Sequence, residues 1–325
     1  MDFKQPVGLI TNINAKRIRK TIVQADDLYK ILGGKKYCIN SQTKTLEELK
    51  KTISKYRDDN IQIILSNGGD GTHQKLINTL IENFGDYHPF IIPLKSGTMN
   101  MLAKNLDRNM SPYKTAKWVK RLIDKQEKPT ITVKQLLELN SPSLEKPKYG
   151  FVFIAGCGYK LLKHYYSYPE GGKRSAAKTI ISSMGGWITG NKVSKNIYTY
   201  TPSKISIDDK NYEFPYLITL AASIPKLVLG FSPFALKYAN HDGFFFMIDG
   251  QPMPKNYNIF KFFKILDDES WKNKRLVSRG KFLKLSVEGG FSIDGEVIDL
   301  GDKISEVTIT QGPKINFITP INEQR

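Results

Sequence analysis

One glycine-rich segment carries the residue types that phosphate chemistry requires. Residues 67–72 read Asn-Gly-Gly-Asp-Gly-Thr and follow the largely apolar run 61–65, which is typical of a buried strand. Thr72 is placed to cap a following helix with an apolar stripe. A strand, a glycine-rich turn and a helix N-terminus let backbone N–H groups approach an anion closely. The segment therefore predicts a phosphate site, with an ordinary strand-to-helix turn as the alternative.

Asp70 is the unusual member of this segment. A carboxylate beside a phosphate is unfavourable unless it holds a cation, contacts a sugar or hydroxyl, or takes a proton. The segment is neither a Walker loop, which needs Gly-x-x-x-x-Gly-Lys-Ser/Thr, nor a Gly-x-Gly-x-x-Gly dinucleotide loop. We therefore expect Asp70 to have a chemical role that these two common phosphate loops do not provide.

The first 128 residues alternate apolar runs with amphipathic stretches, which predicts a parallel α/β sheet. Ligands bind such sheets beyond the carboxyl ends of the strands. The polar loops 67–72 and 95–100 follow neighbouring strands, so we expect them to face one crevice. Strands are predicted at 7–11, 37–39, 61–65 and 90–93, and helices at 15–32, 46–57, after 72, 101–106 and 112–123. Thr45 and Ser111 are the predicted caps of the second and last of these helices.

The rest of the chain, from 129 to 325, is predicted to be antiparallel and rich in β-structure. Alternation of apolar and polar residues is clearest at 281–287, and Asp294-Gly295 lies where a two-residue hairpin turn is expected. A helix rich in small residues is predicted at 175–187. The predicted strands are 130–133, 149–154, 204–207, 212–214, 217–223, 244–248, 282–287, 307–310 and 315–318.

The composition points to an anionic partner. The formal net charge is +18, which favours a nucleotide, an acidic membrane surface or a nucleic acid. No recognisable nucleic-acid module is present, so no specific nucleic acid is expected. The chain has two cysteines, no start typical of a signal peptide and no apolar run near the ~18 residues that span a bilayer. A cytoplasmic protein is therefore predicted.

Four segments, in order, resemble the diacylglycerol kinase catalytic domain family and its bacterial lipid kinases. The segment 67–72 is similar to the family's Gly-Gly-Asp-Gly-Thr signature, which the wider superfamily shares with sphingosine, ceramide and NAD kinases. The segment 93–103 resembles the lipid-kinase pattern Pro-x-Gly-Thr-x-Asn-x-x-Ala. The segments 240–245 and 293–296 resemble the bacterial Asp-Asp-Gly-Leu-Leu and Asp-Gly-Glu patterns.

The resemblance implies a fold and a reaction. It implies an α/β nucleotide-binding domain over 1–128, like that of NAD kinase and 6-phosphofructokinase, and a larger antiparallel β-rich lipid-substrate domain over 129–325. The active site would lie in the cleft between them. There the γ-phosphoryl group of ATP, with Mg²⁺, would pass to the hydroxyl of diacylglycerol or a related lipid. The implied partners are this lipid and an anionic membrane surface to which the protein attaches peripherally, and exposed β edges permit a homodimer.

The resemblance also implies site residues. Glu296 is the favoured general base for the lipid hydroxyl and Asp294 the alternative, while Asp70 would act through a metal, the nucleotide or the acceptor. Asp242 would hold a structural Mg²⁺ together with backbone carbonyls, those of Ala239 and Phe244 being candidates. The residues expected to bind the nucleotide are Asn12, Asn67, Gly68, Gly69, Asp70, Gly71, Thr72, Gly97, Thr98 and Asn100.

Several alternatives remain open at this point. An NAD kinase-like enzyme shares the glycine signature, but its downstream Gly-Phe-Leu-Thr segment is not seen. A non-catalytic relative that binds nucleotide or lipid is favoured by Met101, where bacterial members often have Asp. The residues 255–275 mix bases with aromatics, which suits either an acidic membrane surface or a core-facing stripe. Ser41 or Thr43 is a candidate contact for adenosine.

Overall fold

The chain forms two compact units, which are Met1–Lys134 with Lys314–Arg325 and Gln135–Pro313. The predicted division after residue 128 stays a prediction about domains. The computed structural model describes residues 6–14, 25–97, 99–106, 110–167, 182–183, 191–227, 242–250 and 275–320. The predicted helix at 175–187 and the first ten residues of the one at 15–32 lie almost wholly outside these ranges.

The first unit contains a parallel sheet in the order β14-β4-β3-β1-β2. Three of its strands, β1, β3 and β4, are short, largely buried apolar runs, as expected for a sheet covered on both faces, whereas β2 at the edge is mostly polar and partly exposed. The prediction of a parallel α/β sheet is therefore confirmed. The strands are β1 (Val7–Asn12), β2 (Cys38–Thr43), β3 (Ile63–Gly68), β4 (Phe90–Lys95) and the end of β14 (Glu296–Thr319).

Helices alternate with these strands, and two of the helices start with an ordinary side-chain cap. The Thr45 hydroxyl accepts from the Glu48 N–H at 3.2 Å, and the Ser111 hydroxyl accepts from the Lys114 N–H at 3.3 Å, so both predicted caps are confirmed. The helices are α1 (Ala25–Ile31), α2 (Leu46–Asp58), α3 (Asp70–Asn83), α4 (Met101–Asn105) and α5 (Pro112–Lys125), with a short 3-10 helix at Gly34–Lys36.

The predicted cap at Thr72 is wrong. Helix α3 begins at Asp70, its N-cap is Gly69, and no side chain caps it. Strand β3 continues to Gly68, three residues beyond the predicted end at 65, so the turn between strand and helix is a single residue. Thr72 therefore lies within the first turn of the helix, where its hydroxyl is available to other partners.

Tyr56 anchors helix α2 against the sheet. Its side chain is fully buried, and its hydroxyl lies 2.8 Å from the Ile39 carbonyl and 3.3 Å from the Leu9 carbonyl. A Cβ at Gly8 would lie 2.2 Å from the Tyr56 ring. The ring therefore fills the space that glycine leaves on strand β1.

The second unit is dominated by antiparallel strands, as predicted. Its main order is β12-β11-β10-β7-β13-β14, with β8 paired to β13, β9 to β8, β5 to β14 and β6 to β5. The chain passes between the units within β5 and within β14. The remaining elements are β5 (Thr130–Asn140), β6 (Lys148–Gly150), β7 (Val152–Gly156), α6 (Cys157–Tyr166), α7 (Lys192–Ile197), β8 (Lys204–Ile207), β9 (Lys210–Glu213), β10 (Ile218–Ala222), β11 (Phe244–Asp249), β12 (Arg275–Gly280) and β13 (Phe282–Ile293).

The alternation at 281–287 has the predicted consequence. Leu283, Leu285 and Val287 are fully buried in one apolar cluster, while the residues between them are partly exposed. The two strands predicted at 307–310 and 315–318 are parts of the single long strand β14. Across the part of the chain that the structure describes, no helix is long and apolar enough to cross a membrane.

Replacing Tyr56 with Phe tests the buried anchor of helix α2. The substitution removes the hydroxyl while the ring still fills the space above Gly8. We expect Y56F to lower the free energy of unfolding by about 1–3 kcal/mol, because buried acceptors lose their donor. Equilibrium unfolding in urea measures this loss. Y212F, at a partly buried position, serves as the control, and equal losses in both variants would contradict the assignment.

Candidate active site

The two glycine loops of the first unit leave adjacent parallel strands. Strand β3 pairs with β4 up to Gly68 opposite Lys95, so both loops start at the same edge of the sheet. Because α3 starts two residues after β3 ends, the N–H groups of its first turn lie directly beyond the strand. The predicted placement of both loops at one sheet edge is thus observed.

The loops touch through glycine. A Cβ at Gly97 would lie 2.5 Å from the Gly69 Cα, so the two backbones approach too closely for any side chain at position 97. Asn100 fixes the second loop from within. Its side-chain oxygen accepts from the Gly97 N–H at 2.8 Å, and its amide donates to the Gly97 carbonyl at 2.7 Å. Asn100 has a left-handed backbone conformation with φ of 51°, which asparagine tolerates better than most residues.

Asp70 joins the two loops by a hydrogen bond. Its Oδ1 accepts from the Leu102 N–H at 3.1 Å, in the first turn of helix α4. The carboxylate thereby satisfies a donor that a helix N-terminus leaves without an internal partner. Its other oxygen, Oδ2, has no hydrogen bond to any residue that the structure describes, and the residue is only partly buried. One oxygen is therefore structural and the other is available.

The asparagines that were predicted to bind the nucleotide form hydrogen bonds to other residues of the protein. The Asn67 amide donates to the Thr11 hydroxyl at 3.2 Å, and its oxygen accepts from the Ser96 hydroxyl at 2.6 Å. Asn67 is fully buried, so its hydrogen bonds stabilise the loops from the protein interior. Asn12 donates to the Thr72 hydroxyl at 3.0 Å and orients that side chain.

A cavity of about 50 Å³ opens beside Thr72, beyond the ends of β1, β2 and β3. Thr43 lines it, whereas Ser41 bonds to the Tyr56 hydroxyl at 3.0 Å and does not. The sequence interpretation missed two lysines of the lining. Two features of the sequence could have located them. Lys44 directly follows the end of β2, and Lys75 lies three residues after Thr72, on the same face of the helix. The lining is Ile10, Asn12, Thr43, Lys44, Thr45, Leu46, Leu49, Ser66, Thr72, Lys75 and Leu76.

His73 lies buried under the first turn of α3. Its Nδ1 is 2.8 Å from the Ser66 hydroxyl, and only 1% of the residue is exposed. Burial lowers the pKa of His73 below its ordinary value, although the nearby charge of Asp70 opposes the shift. The buried imidazole is therefore neutral and supports the start of the helix.

In the second unit, Asp294-Gly295 forms the predicted hairpin turn. Ile293 pairs with Glu296, and the two turn residues have φ of 48° and 90°, as a type I′ turn requires. The Asp294 carboxylate accepts from the N–H groups of Phe151 and Val152 at 2.9–3.0 Å. These donors occupy the carboxylate, so Asp294 ties the hairpin to the start of β7.

Glu296 has the opposite environment. It is exposed at the start of β14, and its carboxylate has no hydrogen bond or ion pair to a residue within the described ranges. A Cβ at Gly295 would lie 3.3 Å from the Tyr166 hydroxyl, so that tyrosine lies beside the turn. Of the two carboxylates at this turn, Glu296 is the one free to accept a proton.

Asp242 forms an ion pair with a lysine of the protein itself. Its Oδ2 lies 2.6 Å from the Lys281 Nζ, and this ammonium holds the pKa of the Asp242 carboxyl below its usual range. The Arg279 Nε donates to the Gly243 carbonyl at 3.0 Å. Among the residues described, no three His, Cys, Asp or Glu side chains group as metal ligands. The lysine paired with Asp242 occupies the carboxylate and does not favour a divalent metal there. The metal role of Asp242 stays a prediction.

Some predicted positions lie outside the described residues. These are Thr98, Ala239, residues 240–241 of the segment 240–245, and the stretch 255–274. The predicted site residues of the first unit thus lie around the two glycine loops. Asp294 and Glu296 differ in what their carboxylates contact.

Comparison with known proteins finds a similarity within the first unit. Residues 7–134 match the family model of the diacylglycerol kinase catalytic domain, which confirms the resemblance predicted from the sequence. No curated protein matches the chain.

Three solved structures from Bacillus anthracis strain Sterne share the fold. One is named as a diacylglycerol kinase, with 14% identity, a TM-score of 0.59 and coverage of 98% of this chain and 97% of that one. Two are named as candidate diacylglycerol kinases. The first has 17% identity, a TM-score of 0.64 and coverage of 98% of both chains. The second has 15% identity, a TM-score of 0.61 and coverage of 99% of this chain and 100% of that one. At these identities the likeness concerns the fold.

A matched pair of glycine variants tests the contact between the loops. We expect G97A to lower the free energy of unfolding by about 1–3 kcal/mol, because the added methyl overlaps the Gly69 backbone. G71A adds the same methyl where no heavy atom lies within 4 Å, so stability should be unchanged or raised by up to about 1 kcal/mol. Urea unfolding of both variants measures the difference, and equal effects would contradict the contact.

The buried imidazole predicts a pH dependence of stability. Since the folded-state pKa of His73 is lowered, the unfolded chain binds a proton that the folded chain does not. Stability should therefore fall as the pH drops below about 6.5, the pKa of an unperturbed histidine. H73Q should remove this part of the slope in unfolding measured from pH 5 to 8. The exposed H88Q is the control, and a slope that survives H73Q unchanged would refute the assignment.

Proposed function

We propose that the chain is an ATP-dependent lipid kinase, because residues 7–134 match the family model of the diacylglycerol kinase catalytic domain. It would transfer the γ-phosphoryl group of ATP to the hydroxyl of diacylglycerol or a related lipid. The observation that carries the proposal is the pair of glycine loops in contact, joined by Asp70, whose second carboxylate oxygen remains available.

Phosphoryl transfer depends on positioning and on neutralising charge. The N–H groups at the start of α3, from Gly69 to Gly71, would face the phosphates, and the Gly97 loop would form the second wall. Thr72, held by Asn12, would present its hydroxyl toward the same space. Asn67 and Asn100 would act indirectly, because their side chains bond within the loops. Thr98 would belong to the second wall.

Asp70 suits the Mg²⁺ of a nucleotide. Carboxylate oxygens are hard ligands that Mg²⁺ prefers, and this ion usually takes one or two carboxylates together with phosphates. The free Oδ2 of Asp70 provides one such oxygen, while Oδ1 keeps the side chain oriented. Bound there with ATP, the ion would supply charge neutralisation for the phosphates.

Glu296 is the proposed general base. A base must accept a proton, and the exposed, unpaired Glu296 carboxylate can do so. The Asp294 carboxylate accepts from two backbone N–H groups, so we assign it the positioning of the hairpin that carries Glu296. We therefore propose Glu296 as the base, which the sequence also favoured over Asp294.

The proposed substrate and charge suggest where the protein works. The lipid substrate resides in membranes, and the net charge of +18 favours an anionic surface. We propose a cytoplasmic protein that attaches peripherally to such membranes, with a homodimer permitted by its β edges. No specific nucleic acid is proposed as a partner.

Incubation with labelled ATP and a panel of acceptors tests the function. The panel comprises diacylglycerol, monoacylglycerol, sphingosine, ceramide, phosphatidylglycerol and NAD, each with Mg²⁺. We expect label in a lipid product and none in NADP. Label in NADP alone would identify an NAD kinase-like enzyme. ATP binding without any labelled product would identify a non-catalytic relative.

Two carboxylate variants separate catalysis from structure. We expect E296Q to lower kcat by about 10²–10⁴-fold with an unchanged KM for ATP, because it removes only the base. D294N should mainly lower stability, by about 1–3 kcal/mol, because the acceptor of two backbone donors loses its charge. Kinase assays and urea unfolding of both variants measure these effects. An E296Q enzyme with full kcat would eliminate Glu296 as the base.

A further inference from the structure

The cavity beside Thr72 is lined by charge of one sign. Of its eleven lining residues, the ionisable ones are Lys44 and Lys75, and no carboxylate is among them. Thr43, Thr45 and Thr72 add three hydroxyls to the wall. A polar cavity with two ammonium groups and no acid attracts an anion.

Lys44 is held in place through its backbone. Its N–H donates to the Glu48 Oε2 at 2.6 Å, and its carbonyl accepts from the Asn14 amide at 3.2 Å. Glu48 is thereby engaged with the start of helix α2. The Lys44 ammonium has no ion pair or hydrogen bond to any described residue, and the side chain is exposed toward solvent.

Lys75 lies one turn along α3 from the phosphate loop. A residue three positions after Thr72 shares its face of the helix, and both residues line the cavity. The Lys75 ammonium also lacks a described partner. Other lysines of this unit do find acids, since Lys120 pairs with Asp124 and Lys125 with Glu127.

The cavity is large enough for a phosphoryl group. Its volume is about 50 Å³, whereas a single water requires about 10–15 Å³. The cavity opens to solvent, so a ligand whose phosphates bind there can extend beyond it.

We propose that Lys44 and Lys75 are the cations that bind the polyphosphate chain of the nucleotide in this cavity. This inference rests on the proposed function, because it assigns the phosphates of the same ATP. Lysine binds phosphate as a point charge, so the contact depends on charge more than on exact geometry. The site should therefore prefer ATP to ADP and ADP to AMP, and binding should weaken as salt is raised.

Calorimetric titration of the full chain with ATP, ADP and AMP tests this assignment. We expect K75M and K44M each to weaken ATP binding by about 10–100-fold, as the loss of one charge-assisted contact predicts. The preference for ATP over AMP should shrink in parallel. K75R keeps the charge and should retain most of the affinity.

K51M is the matched control. Lys51 is an exposed lysine on helix α2 that does not line the cavity, so its removal lowers the net charge equally. We expect wild-type affinity in K51M, and thermal unfolding verifies that every variant is folded.

The failures of the two proposals are distinguishable. If the wild-type chain binds ATP and both cavity variants match K51M, the lysine assignment is overturned while the kinase proposal stands. If the wild-type chain binds no ATP at all, the proposed function fails and the lysine assignment fails with it. A K75R variant as weak as K75M would also contradict a role based on charge.

Discussion

The candidate site depends on one close approach between two glycine backbones. Gly69 and Gly97 belong to loops that leave neighbouring parallel strands, and a single methyl at position 97 would overlap the other loop. The hydrogen bond from the Leu102 N–H to Asp70 holds the loops in this arrangement. Both interactions serve one purpose, because the first turns of helices α3 and α4 then start at the same place. Without the contact, the exposed N–H groups and the free oxygen of Asp70 would not converge.

Carboxylates in this protein divide into those engaged by structure and those left available. Asp294 accepts from two backbone N–H groups and fixes a hairpin, and Asp242 pairs with Lys281. Asp70 does both, since one oxygen stabilises a helix start while the other is unoccupied by protein donors. Glu296 is engaged by nothing that the structure describes. The chemistry we propose uses the available carboxylate oxygens and gives no chemical role to those that already bond to protein groups.

Local sequence patterns predicted most of the fold, but they did not predict which distant residues pair. Apolar runs located the strands, Thr45 and Ser111 capped their helices as expected, and Asp294-Gly295 formed its turn, because each depends on a few adjacent residues. Thr72 was misassigned as a cap because β3 runs on to Gly68, a length that pairing with β4 sets. The two lysines of the cavity were missed because their proximity also depends on distant parts of the chain. They are 31 residues apart in the sequence and meet only through the fold.

Hydrogen–deuterium exchange with and without MgATP tests the central claim most directly. The claim is that the two glycine loops form one phosphate site. The account predicts that ATP slows exchange of the amides at 69–72 and at 97–102 together, since both loops bound the same ligand and Asp70 joins them. G97A should lose the protection of both segments at once. Protection of one loop alone, or ATP binding with neither loop protected, would contradict the account.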